Sequence, residues 1–173
     1  QTAGRGRRGR SFYSPEDAGI YLSVILEPQG NLQENLLLTA EAAVAVYKAV
    51  KEVTGIELDI KWVNDLYYHG KKVCGILTEA ITDFESGNIE FAIVGIGLNL
   101  YETAEGYPEE LQGIAGGLFT DRDNASELDR NRLVAAIINN LLIETQEIQL
   151  PKEYIDQNIV PGKKIQIRDG EHV

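Results

Sequence analysis

The sequence is poor in cysteine, in methionine and in long apolar runs. Its 173 residues include one cysteine, Cys74, and no methionine. A single cysteine cannot form an internal disulfide, which favours a reducing compartment and predicts a cytoplasmic location. No apolar run approaches the roughly 20 residues of a membrane-spanning helix, and no signal peptide is visible, so we expect no membrane partner. Because methionine is absent and the sequence ends at Val173 within a strand-turn pattern, we expect further chain at both ends.

Positive charge is also scarce, and much of it lies near the first residue. The chain has 16 Lys and Arg against 27 Asp and Glu, which gives a formal net charge of −11. Four arginines nevertheless fall within the first ten residues, which contain no acid: Arg5, Arg7, Arg8 and Arg10. An acidic surface of this kind repels nucleic acid and anionic membranes. One concentrated basic segment on an acidic body therefore predicts a local anionic ligand.

The remaining pattern predicts a mixed α and β protein with an antiparallel or mixed sheet flanked by helices. Apolar runs and alternation predict strands at 20–26, 58–62, 66–68, 72–81, 89–100 and 163–168. Helical spacing predicts helices at 36–54, at 130–148 behind an Asp129 cap, and at 152–159, with a short helix near Pro108. Residues 1–19, rich in Gly, Arg and Ser, are predicted to form a long loop.

Residues 4–10, Gly-Arg-Gly-Arg-Arg-Gly-Arg, are the first candidate binding segment, which we call the basic loop. Glycine lets a backbone approach a ligand closely and aim its N–H groups at anionic oxygens. Arginine stays charged at any working pH and donates in a planar fork that matches carboxylate or phosphate. The same composition also suits a flexible basic tail or an Arg-Gly RNA-binding segment. The segment is not a Walker phosphate loop, because no Gly-Lys-Ser/Thr follows it.

Two further segments place polar residues beside predicted strands. Residues 61–65, Lys-Trp-Val-Asn-Asp, end in an amide next to a carboxylate, which could hold a metal-bound phosphate. Taken alone, this pair is more typical of an ordinary Asn-Asp turn. Lys72 begins a strand that contains Gly75, where a ligand or another backbone could approach closely. Lysines at such positions are more often solvated charges on an edge strand.

The last candidate segment is Gly-Ile-Gly-Leu-Asn-Leu at 95–100. Small residues near a strand end can form the floor of a flat pocket. A bulge or a packing requirement would explain the two glycines equally well.

Taken together and in this order, the four segments resemble one family, the biotin protein ligases. The resemblance rests on the basic loop after Gln-Thr-Ala, on 61–65, on Lys-x-x-Gly-Ile-Leu at 72–77 and on Gly-x-Gly-x-Asn at 95–99. Val63 departs from it, because the family usually has proline there. The resemblance implies a catalytic domain like those of class II aminoacyl-tRNA synthetases and biotin/lipoate ligases. It would span 1–160, lacking an N-terminal pocket strand, and 161–173 would be the first strand of an SH3-like domain.

The resemblance also implies a reaction and a set of roles. Biotin would react with ATP, with Mg²⁺ present, to give biotinyl-5′-AMP, and would then pass to a lysine of a biotin carboxyl carrier protein. Lys72 and Arg7 are the implied catalytic residues. The implied biotin contacts are Gln1, Gly4, Arg5, Gly6, Arg7, Lys72, Leu77 and Gly95. The implied ATP contacts are Arg7, Arg10, Phe12, Asn64, Asp65 and Asn99, with Phe12 over the adenine and Asp65 as the magnesium ligand.

Several alternatives stay open. A lipoate–protein ligase would use the same adenylate chemistry, and a non-enzymatic RNA-binding module would use the Arg-Gly loop. A biotin sensor without catalysis is disfavoured by the presence of both Lys72 and Asp65. The expected macromolecular partner is the carrier domain of a carboxylase, and a homodimer is a further candidate. DNA binding is expected only if an N-terminal DNA-binding domain precedes the chain. Either Asp65 or water would accept the proton of the carrier lysine.

Overall fold

The computed structural model describes residues 1–28, 37–83, 85, 88–103, 105–147 and 149–166. Its strands are β1 (Gly19–Leu26), β2 (Asp59–Lys61), β3 (Asp65–Tyr68), β4 (Lys71–Thr82) and β5 (Ile89–Asn99). They form one antiparallel sheet in the order β1-β5-β4-β3-β2. The helices are α1 (Leu38–Thr54), α2 (Arg130–Glu144) and α3 (Lys152–Asp156), with 3-10 turns at Arg7–Gly9 and Glu109–Leu111. The predicted α+β class with an antiparallel sheet is confirmed.

Strand alternation gives the sheet two different faces. On one face, β5 contributes Val94, Ile96 and Leu98, all of which are buried in the hydrophobic core. On the other face, β5 contributes Gly95 and Gly97. We call this second face the open face, because the helices pack on the opposite side and leave it available to the loop at the start of the chain.

The first helix forms the centre of the core, and its composition explains why. Its buried residues are Leu38, Ala40, Glu41, Ala42, Ala43, Val44, Ala45, Val46, Tyr47, Ala49 and Val50. Small side chains let α1 approach both the sheet and α2 closely. Gly55 ends the helix with φ of 74°, and its N–H donates to Lys51 O at 2.9 Å. None of the described helices is long and apolar enough to span a membrane.

One acidic side chain lies inside this apolar layer. Glu41 is only 5% exposed, and burial, with the Glu144 charge of α2 nearby, raises its pKa to about 7. Glu144 is paired with Lys48 of α1 at 2.8 Å, and Lys48 also reaches Glu153 of α3 at 2.9 Å. The junction of the three helices therefore contains a small charged cluster beside a buried acid that favours its neutral form.

The predicted cap of the second long helix is confirmed, but two helices end earlier than predicted. Asp129 Oδ1 accepts a hydrogen bond from Arg132 N at 3.0 Å. The helix α2 stops at residue 144, where Thr145 Oγ1 donates to Leu141 O at 2.9 Å and closes the last turn. The predicted end at Ile148 lies outside the described residues. The helix α3 stops at residue 156, not 159.

The predicted strand at 163–168 was wrong wherever the structure describes it. Residues 163–166 are not part of any strand, and 167–168 lie outside the described residues. The edge of β2 is already occupied, because Ile60 N donates to Gln157 O and Ile159 N donates to Ile60 O, both at 2.9 Å. An extended segment without a partner strand leaves its backbone groups unpaired, so apolar alternation alone does not make a strand there.

Candidate active site

A cavity of about 220 Å³ lies between the basic loop and the open face of the sheet. The first residues of the chain cover it from one side, and three strands form the other side. Its lining residues are Gln1, Ala3, Arg5, Gly6, Arg7, Phe12, Tyr21, Leu22, Ser23, Asn64, Lys72, Gly75, Ile76, Leu77, Glu79, Ile93, Gly95, Ile96 and Gly97. The four segments that stood out in the sequence therefore meet at one place.

The open part of the cavity floor is a transverse row of three residues, which we call the trough. Gly95 of β5 is paired with Leu77 of β4 and with Ser23 of β1. A Cβ atom added at Gly95 would lie 3.4 Å from Leu77 O, and nothing outside Leu77 would come within 4 Å. Since neighbouring strands lie about 4.8 Å apart, the trough is roughly 10 Å long from β4 to β1.

The next row along the open face is covered by an aromatic ring. Gly97 is paired with Gly75 on one side and with Tyr21 on the other. Phe12 Cε1 lies 2.5 Å from the position of a Cβ atom at Gly97, and its Cε2 lies 3.0 Å from that at Gly75. The ring also meets Tyr21 edge to face, with centroids 6.4 Å apart. Burial raises the pKa of Tyr21 to about 12, so its hydroxyl stays protonated and donates to Pro15 O at 3.2 Å.

Backbone hydrogen bonds fold the basic loop onto itself. Gly6 N donates to Arg10 O at 2.7 Å, and Phe12 N donates to Gly4 O at 2.8 Å. Position 4 requires glycine because a Cβ atom there would lie 2.5 Å from Phe12 O. The tip turns back at Arg8, which has a positive φ of 56°. The loop is therefore a hydrogen-bonded turn, and its two sides can approach this closely only because position 4 is glycine.

Two arginines of the loop reach partners on the sheet side of the cavity. Arg5 Nη2 lies 3.0 Å from Glu79 Oε2, and Arg7 Nη1 donates to Asn64 Oδ1 at 3.2 Å. Asn64 is itself fixed to β4, because its Nδ2 donates to Ile76 O at 2.8 Å and its carbonyl accepts from Ile76 N at 2.9 Å. The ordinary-turn interpretation of this asparagine is thus incomplete, since its side chain joins the loop to the strand.

Lys72 places a positive charge at the end of the trough. Its Nζ lies 2.6 Å from Asp65 Oδ1 and 3.2 Å from the position of a Cβ atom on Gly75. Asp65 Oδ1 is buried and accepts no hydrogen bond of good geometry from the described residues, so its contact with Lys72 is an ion pair. The turn that leads to Asp65 contains a cis peptide bond between Trp62 and Val63.

The charges around the cavity favour an anionic ligand. Arg5, Arg7 and Lys72 line it, and Glu79 is the one acid among its lining residues. Glu79 is paired with Arg5, and Lys72 with Asp65 outside the lining, so the lining residues carry more positive than negative charge. A partly enclosed cavity strengthens such attractions relative to open water. The arrangement fits a molecule whose body lies in the trough and whose anionic group lies at the Lys72 end.

A second cavity of about 90 Å³ lies beyond Phe12 and Lys72, which line both cavities. Its other lining residues are Ser11, Tyr13, Cys74, Asn99, Tyr107, Leu111, Ile114 and Ala115. Complete burial raises the pKa of the Cys74 thiol to about 12, so this cysteine is not a nucleophile at neutral pH. Asn99 Nδ2 donates to Gly116 O at 3.1 Å, and Tyr107 meets Tyr13 edge to face at 5.8 Å.

The site offers little to a resident metal ion. Across the described ranges, no group of three or more His, Cys, Asp and Glu side chains is placed to hold one. Asp65 alone, with a buried oxygen that receives no hydrogen bond from those residues, could contribute one oxygen ligand. Mg²⁺ is commonly bound by one or two carboxylates together with substrate phosphates. The residues present therefore fit a magnesium ion that arrives with a nucleotide.

Comparison with known proteins identifies the family of this chain. The profile of the Biotin/lipoate A/B protein ligase family matches residues 1–99, which is more than half of the chain and includes every lining residue of the larger cavity. The chain belongs to this family.

The related proteins are longer than the chain. Bifunctional ligase/repressor BirA of Bacillus spizizenii is 41% identical over 143 residues, which are 83% of this chain and 42% of that protein. Biotin–[acetyl-CoA-carboxylase] ligase of Mycobacterium tuberculosis is 30% identical over 176 residues, covering 96% of this chain and 61% of that protein. The structure of biotin protein ligase from Aquifex aeolicus in complex with biotin and ATP matches with a TM-score of 0.65 and 30% identity, over 91% of this chain and 60% of that one. The chain thus spans 42% of the first relative's length.

Most residues that the sequence analysis placed at a family ligand site lie on the two cavities. Gln1, Arg5, Gly6, Arg7, Phe12, Asn64, Lys72, Leu77 and Gly95 line the larger cavity, and Asn99 lines the smaller. Three others do not line either cavity. Gly4 shapes the loop through its backbone, Arg10 is exposed, and Asp65 contacts the site through Lys72.

Sequence reasoning missed the contribution of β1 to the site. Tyr21 and Ser23 line the cavity, yet neither belongs to a motif that stood out. Register alone brings them there, since Tyr21 lies beside Gly97 and Ser23 beside Gly95. The alternation of β1 was visible in the sequence, but its partner strand was not.

Proposed function

We propose that this chain is the core of an ATP-dependent biotin ligase that forms biotinyl-5′-AMP and transfers biotin to a lysine of a biotin carboxyl carrier protein. A single observation carries the proposal: Arg7 and Lys72 line the same cavity, whose floor contains glycines. The two residues are separated by 65 positions in the sequence. The Mycobacterium relative is a biotin–[acetyl-CoA-carboxylase] ligase, and the Aquifex protein is in complex with biotin and ATP, which supports the choice of substrates.

In the first step, a carboxylate oxygen of biotin attacks the α-phosphorus of ATP. The bond to the bridging oxygen breaks, and pyrophosphate leaves. Two anions must approach each other, so the protein has to offset their repulsion and stabilise charge that develops on the phosphoryl oxygens. Lys72, at the end of the trough and between the two cavities, would do this from β4, and Arg7 would do it from the loop.

The trough, roughly 10 Å long, would hold the acyl substrate. The ring end of biotin would lie towards β1 and the carboxylate towards Lys72, with Gly95 and Leu77 as the floor. Gln1 and the backbone of Gly4, Arg5 and Gly6 would enclose the ligand from the loop. Placing the carboxylate within reach of a bound nucleotide makes the reaction effectively unimolecular.

The nucleotide would occupy the smaller cavity. The proposed contacts are Arg7, Arg10, Phe12, Asn64, Asp65 and Asn99, with Phe12 beside the adenine. Mg²⁺ would accompany ATP and neutralise phosphate charge, and Asp65 would supply one oxygen ligand to it.

In the second step, the amine of the carrier lysine attacks the acyl carbon of the mixed anhydride, AMP leaves, and the amine loses a proton. Asp65 or water would accept that proton. The carrier domain of a carboxylase is the proposed protein partner, a homodimer remains a prediction, and DNA binding would require a further N-terminal domain. The cytoplasmic location also stays a prediction.

We further propose that the described sheet belongs to the class II aminoacyl-tRNA-synthetase-like architecture of biotin and lipoate ligases. In this proposal residues 1–160 are the catalytic domain without its N-terminal pocket strand, and 161–173 lead into an SH3-like domain. Residues 163–166, the part of this expected strand that the structure describes, form no strand.

Substrate-dependent exchange between ATP and pyrophosphate tests the proposal. Biotin should support exchange in the full-length protein, lipoate should not, and biotin should then appear on a carrier lysine. Exchange with lipoate alone would identify the sister activity. Lack of exchange with either acid, combined with RNA binding that falls steeply with salt, would favour the RNA-binding alternative.

A further inference from the structure

Phe12 packs over the glycine pair of the open face so closely that Gly97 has no room for a side chain. The paired glycines 75 and 97 sit side by side on β4 and β5. Cβ atoms at these positions would approach the ring of Phe12 to 3.0 and 2.5 Å. Real Cβ atoms essentially never approach other heavy atoms below 3.0 Å. The two glycines thus leave a shallow seat whose shape matches one aromatic ring.

The seat is completed on its third side by Tyr21, the β1 partner of Gly97. The two aromatic rings meet at an interplanar angle of 72°, an edge-to-face arrangement that aromatic pairs favour. The neighbouring row offers no comparable seat, since a Cβ atom at Gly95 would meet only Leu77. The ring is therefore held in one row, and the trough beside it stays open.

The backbone of Phe12 connects the seated ring to the basic loop. Its N–H donates to Gly4 O at 2.8 Å, so the seated ring and the start of the loop are directly connected. From that point the loop extends over the cavity, where Arg5 meets Glu79 and Arg7 meets Asn64. The arginines repel one another, and surface ion pairs by themselves contribute little. Packing of the Phe12 ring adds an apolar contribution at this end of the loop.

We infer that Phe12 is a positioning residue: seated on Gly75 and Gly97, it holds the basic loop over the sheet with Arg5 and Arg7 facing the cavity, and it forms the wall between the two cavities. The effect on ligands rests on the proposed function, whereas the seating is a property of the chain without ligand. Gly75 and Gly97 accordingly make room for the Phe12 ring that positions the loop, whereas Gly95 leaves room for the ligand in the trough.

Trypsin cleavage at the loop arginines measures the seating without any ligand. Adding a methyl group in Gly97→Ala overpacks the seat, so cleavage should become at least about fivefold faster. Phe12→Ala should have a similar effect by removing the ring. Gly95→Ala is the matched control on the same strand and face, and it should leave the cleavage rate unchanged. Thermal unfolding of each variant checks that the sheet itself is intact.

A variant that combines Phe12→Ala with Gly97→Ala tests whether the methyl group at position 97 acts by displacing the Phe12 ring. Once the ring is gone, a methyl group at position 97 has nothing to displace, so Phe12→Ala/Gly97→Ala should be cleaved at the same rate as Phe12→Ala alone. Independent, multiplying effects would overturn the proposal. If Gly97→Ala does not fold, unchanged cleavage of Phe12→Ala would overturn it equally.

Exchange kinetics separate positioning from a simple contact with the base. A positioning role predicts that Phe12→Ala raises KM for both biotin and ATP. A rise in KM for ATP alone, with normal loop cleavage, would show that Phe12 only contacts the nucleotide and does not position the loop. An inactive wild-type protein would remove the proposed function but would leave the cleavage test intact.

Discussion

Arg5 and Glu79 form an ion pair of 3.0 Å that joins the basic loop to β4 across 74 positions of the sequence. Both side chains line the larger cavity, and Glu79 is the single acid among its lining residues. A carboxylate at a site suited to anions would oppose ligand binding if it were unpaired. Arg5 therefore acts first as the partner of Glu79, which leaves Arg7 as the arginine of this loop that faces the ligand.

Glu79→Gln should loosen the loop. The pair is partly exposed, so its contribution is below about 1 kcal/mol, and loop cleavage by trypsin should rise by less than about fivefold. The difference between wild type and variant should fade at high salt, because salt screens exposed charges. Glu90→Gln, at an exposed position of β5, is the control. A difference that persists in 1 M salt would argue against an electrostatic connection.

Lys72→Ala should slow biotin-dependent pyrophosphate exchange about 100-fold, because one preorganised cation at developing charge is worth on the order of 3 kcal/mol. Lys71→Ala is a close control, since Lys71 precedes it on β4 and pairs with Glu102 away from the cavity. Near-normal exchange in Lys72→Ala would remove Lys72 from the mechanism.

Arg7→Gly should impair retention of the adenylate more than its formation. Released biotinyl-AMP reacts with amines in solution, so lysines of bystander proteins should become biotinylated. Streptavidin blots of reactions that contain carrier and an unrelated protein measure this. Arg8→Gly provides the comparison within the same loop. Labelling confined to the carrier in the Arg7 variant would show that another residue retains the intermediate.

Ligands should protect the loop. Four arginines within six residues repel one another, so we expect residues 5–10 to be mobile in the free protein while Phe12 stays seated, and to close over the adenylate, excluding water from the anhydride. Tryptic cleavage at these arginines should slow when biotin and ATP are both present. Equal rates with and without the two ligands would contradict this expectation.

Glu41 makes stability depend on pH. Its pKa is raised from 4.5 to about 7 in the folded chain, mainly by burial. Below pH 4.5 the Glu41 carboxyl is protonated in both the folded and the unfolded chain. Between pH 4.5 and about 7 it ionises in the unfolded chain but stays protonated in the folded chain. Stability should therefore fall through this window. Glu41→Gln should be about 2 kcal/mol more stable than wild type near pH 8 and equal near pH 4 in urea unfolding. Glu52→Gln, exposed on the same helix, should show no such difference.

The sequence predicts the catalytic segments better than it predicts their mutual placement. Lys72 and Arg7 stand in recognisable motifs, and Asp129 caps its helix as the pattern indicates. The contributions of Tyr21 and Ser23 depend on which strand lies next to β1, and local pattern carries no information on that. Residues 163–166 likewise form no strand, because a strand requires a partner and local pattern carries no information on whether one lies alongside.

The contact between Lys72 and Asp65 has a consequence for turnover. Before any ligand arrives, the ammonium already has an anionic neighbour 2.6 Å away. An entering carboxylate or phosphate must exchange with that neighbour, so binding is weaker than to a bare cation, and a departing product leaves behind a charge that is promptly neutralised. Under the proposed function, this exchange would favour release of product over its tight capture.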